Sequence, residues 1–196
     1  MSKEQGVLDE LAAQEMALYA QISAAQTEPS RPAFDAIYTR VTAEYTQVYQ
    51  QYVGLLRATT DPAVWLEVLK RTVFLRWYIF TEPDWLSGIG MPRPDDAATV
   101  FDALDAAIAR QQLDAEFDWM LAHYANWVWE EALQPLGEEG GPRPAMTRFL
   151  REKTALSQYS GPGYEAIPAY VDPNTITGRG QLSHYWRHMI NRQPLT

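Results

Sequence analysis

Three groups of side chains in this chain have the types and spacing to do chemistry. The first centres on Arg76, inside the stretch Asp61 to Phe80, DPAVWLEVLKRTVFLRWYIF. At about 100° per residue, Arg76 falls between Trp65 and Leu69, in the middle of an apolar face. A guanidinium stays charged in proteins, so its burial demands a carboxylate or a route to water. Glu44, beside Val41 and Val48 by helical spacing, is the carboxylate this sequence offers. The pair would be a structural ion pair, or the anchor of a small anionic ligand held between helices. A packed stem with its head in solvent is the plainer alternative.

The second group is a row of Glu116, His123 and Glu130, spaced by seven and seven, with Trp119 and Trp127 beside it. On one helix these lie within about 40° of one another. Carboxylate, imidazole and carboxylate between aromatic walls suit acid–base chemistry or oxygen and nitrogen metal ligation. Residues seven apart are about 10 Å apart along the axis, so one ion would need help from another helix. A boundary histidine on a half-exposed acidic face has the same spacing. The third group is His184 and His188 in SHYWRHM. Four residues apart on a helix, two imidazoles stand side by side as a pair for a divalent metal. Leu182, Tyr185, Trp186, Met189 and Ile190 take the apolar side, which turns the histidines toward solvent. With His123 they would make the three protein ligands of an open zinc site.

Other chemistry has no signature. The chain holds no cysteine, hence no disulfide and no thiolate ligand or nucleophile. Gly88 and Gly90 are not followed by the Lys-Ser/Thr of a phosphate loop, and neither Gly-x-Ser-x-Gly nor His-Glu-x-x-His occurs.

The elements that must position these groups read as helices. Leu8, Leu11, Leu18 and Ile22 form a stripe on a helix over about 2–26, with Ser2 and Gln5 at capping-box spacing. Phe34, Ile37, Val41, Tyr45, Val48, Tyr52 and Leu55 recur at steps of three or four over about 32–57. The third helix (61–81) opens with Asp61 as N-cap and Pro62 at the first helical position, and Pro83 ends it. Its apolar residues run round most of the circumference, so it needs neighbours on several sides. A connection over about 82–95 follows, then helices over about 96–112 and 114–134. These five main helices, with 61–81 central, predict an all-α bundle over 1–136.

Beyond it the reading is a linker, a short helix over 144–157, an irregular wrap and a terminal helix over 182–191. All pack on the bundle as one domain overall. The 196 residues carry a net charge of −9, unevenly. Residues 99–141 hold 1 basic and 9 acidic groups, and residues 142–196 hold 7 and 3. The basic C-terminal region is therefore expected to dock on the acidic middle. An acidic body argues against nucleic acid, and the charges within 61–81 argue against a membrane span. The polar start MSKEQGVLDE carries no apolar signal core, which points to a cytoplasmic protein. Seven Trp and 11 Tyr fit a binding surface as well as a core. The function expected from these features is a non-enzymatic binding or interaction module with a protein partner. A small-molecule or metal site between helices, enzymatic or not, is the alternative.

Overall fold

In a computed structural model of the chain, the described residues are 2–28, 30–127, 132–133, 142–160 and 176–191. Among them are eight helices and no strand. They are α1 (Lys3–Ala25), α2 (Arg31–Ala58), α3 (Pro62–Thr81), α4 (Asp84–Ser87), α5 (Pro94–Ala109), α6 (Ala115–Tyr124), α7 (Pro144–Ser160) and α8 (Gly180–Asn191). Residues 137–141 of the expected linker, 161–175 of the expected wrap, and 128–131 and 134 of the expected fifth helix lie outside the described residues.

Helix starts follow the capping residues. Ser2 accepts from the Gln5 N–H, while the Gln5 side chain turns to Asp9, so only half of the capping box forms. Asp61 accepts from the N–H groups of Ala63 and Val64, and Asp114 from that of Phe117. Helix α3 is the core: Val64, Val68, Leu69, Val73, Phe74, Leu75 and Trp77 are buried on it. It packs against α1, α2, α5 and α8. Helix α1 lies along α2, α7 covers α5 and α6, and α8 rests on α1 and α3.

Two expectations are corrected. The connection after α3 contains a short helix, α4, closed by Gly88 in the left-handed region (φ +74°). A Cβ at Gly88 would meet Val41 Cγ1 at 2.9 Å, so the chain passes α2 there only as glycine. The helix expected over 114–134 stops at Tyr124. The turn over Ala125–Trp127 closes it, with backbone N–H groups on the Leu121, His123 and Tyr124 carbonyls, and side chains take the carbonyls around that turn. Asn126 Nδ2 donates to the Ala122 carbonyl, Thr154 Oγ1 to that of Ala125 and Trp77 Nε1 to that of Trp127.

The basic region meets the acidic middle as expected. Arg143 pairs with Asp102 at 2.9 Å and Lys153 with Asp118 at 2.6 Å. No helix among the described residues is long and apolar enough to cross a membrane.

Candidate functional site

The expected site residues are dispersed. Arg76 is buried at 2% exposure, but Glu44 is not its partner. Glu44 pairs with Arg40 one turn away on α2, at 3.3 Å on the half-exposed face. Arg76 Nε donates to the Ala132 carbonyl at 3.2 Å, and Nη1 reaches Met91 Sδ at 2.8 Å. Its guanidinium lies over the rings of Phe80 and Phe101. An expected anchor for an anion is thus packed among aromatic rings and the chain after α4.

The Glu116, His123 and Glu130 row is not one site. Glu130 lies outside the described residues. His123 is 3% exposed, in a cluster of Trp77, Tyr124, Tyr185 and Trp186 rings. Its Nε2 shares a 2.7 Å hydrogen bond with the Tyr185 hydroxyl. Burial pushes the imidazole down to about 4, so it is neutral at pH 7. Trp127, half-exposed at 48%, gives its carbonyl to Trp77.

Glu116 belongs to a polar network that sequence reasoning missed. Lys70 Nζ lies 2.6 Å from both Asp114 and Glu116. Arg179 reaches Glu116 at 2.9 Å and forks onto both oxygens of Glu67. Arg71 donates to Glu67 at 2.7 Å, to the Leu8 carbonyl and to the Tyr52 hydroxyl. Tyr52 in turn donates to Glu15, which is 1% exposed. Burial would raise the Glu116 carboxyl, but hydrogen bonds and charge from Arg179 and Lys70 hold it below its ordinary value. Glu15 has no such excess of cations, and burial lifts it to about 7. The signal was present in the sequence: Glu15 sits in register with Leu8, Leu11, Leu18 and Ile22, and Lys70 and Arg71 sit in a helix that is apolar all round.

The open surface is elsewhere. His184 and His188 are exposed on α8, on the side away from Leu182 and Trp186. They line a cleft of about 310 Å³ with Tyr19, Tyr78, Tyr185 and Glu82. His123 is inside the fold and does not join them. Among the described residues, no group of three His, Asp or Glu side chains is placed to hold a metal ion.

Beside this cleft, sharing Gln26 with it, runs a groove of about 730 Å³ between the end of α1, the start of α2, and α4. Phe34 and Tyr38 stack one turn apart in α2, their rings 6.2 Å apart and within 8° of parallel. Trp85 stands across from them, 49% exposed. Glu28, Asp35 and Asp84 supply three carboxylates against one guanidinium, that of Arg31. Arg31 pairs with Asp35 at 2.9 Å and lies over the Phe34 ring at 5.2 Å. The Tyr38 hydroxyl donates to Asp84, and that bond, with burial, pushes the phenol up to about 12. It therefore stays a neutral donor at pH 7 and fixes the Asp84 carboxylate beside Trp85.

No family model, curated protein or solved structure matches this chain.

Proposed function

We propose that the protein is a non-enzymatic binding module whose Trp85 groove takes the cationic side chain, Arg or Lys, of a protein partner. The observation that carries this reading is a half-exposed Trp85 facing the Phe34–Tyr38 stack, with Glu28, Asp35 and Asp84 at the rim. Aromatic faces attract a cation through their quadrupole, and carboxylates add charge attraction. The groove already handles one guanidinium in this way, since Arg31 lies over Phe34 while paired to Asp35. A partner's cation would take the equivalent place at Trp85 and Asp84. The net charge of −9 would also speed the approach of a basic partner.

Calorimetric titration tests this with a blocked pentapeptide carrying a central Arg, and with its norleucine counterpart. Arg peptide binding that weakens with salt is expected, with at least a tenfold loss in Trp85→Ala. Trp85 and Asp84 are exposed, so Trp85→Ala and Asp84→Asn should keep the fold. Equal binding of the norleucine peptide, or undiminished binding by Trp85→Ala, overturns the reading.

A further inference from the structure

The residues just before and at the start of α8 sit on the bundle as a peptide sits on its receptor. Arg179 forks onto Glu67 and reaches Glu116. Gly180 follows in the left-handed region, φ +64°, and a Cβ there would lie 2.5 Å from the Glu15 carboxylate. Only glycine lets this backbone lie flat on the acid. The Gln181 N–H donates to Glu15 Oε2 at 3.0 Å, and its amide donates to the Tyr45 hydroxyl and the Ser87 carbonyl. Gln181 Oε1 is buried without a partner among the described residues. Helix α8 then forms one wall of the histidine cleft through His184, Tyr185 and His188.

We propose that residues 176–191 are a latch that closes over Glu15 and is released when Glu15 gives up its proton, moving the α8 wall of the cleft. This does not depend on which ligand the Trp85 groove takes.

The groups facing Glu15 are Tyr45 and Tyr52 from α2, Arg71 and Glu67 from α3, and the Gln181 N–H from the latch itself. Burial is the largest influence and opposes ionisation, as does Glu67; the Tyr52 O–H, the Gln181 N–H and Arg71 favour it. The balance holds the closed acid near 7. Opening returns the carboxyl to water and toward its ordinary 4.5. The closed state therefore binds the proton more tightly, and raising the pH through that window favours opening. Arg179 keeps its charge throughout: burial lowers its affinity for a proton, but Glu67 and Glu116 more than offset this.

Hydrogen exchange of the full chain, read by mass spectrometry at pH 5 and pH 8 and corrected for intrinsic rates, tests the latch. Residues 180–191 should open at least tenfold more often at pH 8, relative to α3. Glu15→Gln, which cannot ionise, should abolish that difference. Gly180→Ala should open the same residues at both pH values while leaving α3 protected. The latch is overturned if the wild type shows no pH dependence in 180–191, or if Glu15→Gln keeps it. It is equally overturned if Gly180→Ala changes nothing, or if 180–191 exchanges only together with α3. Should Glu15→Gln fail to fold, the Glu15 carboxyl is titrated in the wild type by carbon-13 NMR. A midpoint near 7 supports the latch, and an ordinary carboxylate midpoint overturns it.

Discussion

Charged side chains in this protein divide by what surrounds them, and their energetic weight should divide in the same way. Arg179 is 8% exposed and holds Glu67 and Glu116 together. Arg179→Met leaves two carboxylates short of a partner beneath the surface. Breaking a buried pair from one side costs about 3–5 kcal/mol. Arg71 still serves Glu67 and Lys70 still serves Glu116, so the expected loss is at the low end, about 3 kcal/mol. Arg31 makes a pair of similar length, 2.9 Å to Asp35, but its side chain is 80% exposed. Arg31→Met should change stability by less than about 1 kcal/mol. Urea unfolding of both variants checks the contrast, and equal losses would mean that the buried network is no stronger than a surface pair.

At the scale of elements, the start of α3 carries more than its length suggests. Asp61 satisfies two N–H groups at the head of the helix that α1, α2, α5 and α8 pack against. Asp61→Ala should cost about 1 kcal/mol in urea unfolding. Ser2→Ala removes one such exposed bond where Asp61 makes two, and should cost less. A Ser2 effect as large as the Asp61 effect would show that capping here does not depend on tertiary context. What sequence made legible belongs to this scale. Helical period and caps placed α1, α2, α3 and α5 within a few residues, and the all-round apolar surface of α3 made it central. The end of α6 was not legible, because the carbonyls just past it, of Ala125 and Trp127, are taken by Thr154 and Trp77 from other helices. The partner of Arg76 was misread for a similar reason. Spacing gives the face a residue occupies, but not which helix lies opposite. Glu15 was the reverse case: its place in the α1 stripe was readable, and a carboxylate at a core position is a perturbed acid whatever covers it. The Trp85 groove needed tertiary structure, because its walls come from α1, α2 and α4.

For the whole molecule, two buried groups of opposite habit shape stability against pH. Glu15 is held at about 7 when folded, against an ordinary 4.5. Its contribution is fully present below about 4.5 and is lost as pH rises toward 7. His123 is held at about 4, against an ordinary 6.5. Its contribution is present above about 6.5 and is lost as pH falls toward 4. Each span corresponds to about 3 kcal/mol. Between pH 4.5 and 6.5 the unfolded chain has released the Glu15 proton that the folded chain keeps, and it has taken up a His123 proton that the folded chain refuses. The two slopes have opposite signs and one proton each, so they cancel, and wild-type stability should show only the small rise with pH that His184 adds, held below its ordinary value by burial and by His188 and Arg187. Glu116, held low, acts only below this window, where its stabilisation fades with acid. Glu15→Gln removes one slope and leaves the other. Its urea stability should climb by about 1.4 kcal/mol per pH unit between pH 4.5 and 6.5. A Glu15→Gln profile as flat as the wild type would mean that burial does not hold these two groups in opposed protonation states. The pH lever assigned to the latch would then lose its source, while the packing of α8 on α1 and α3 would stand.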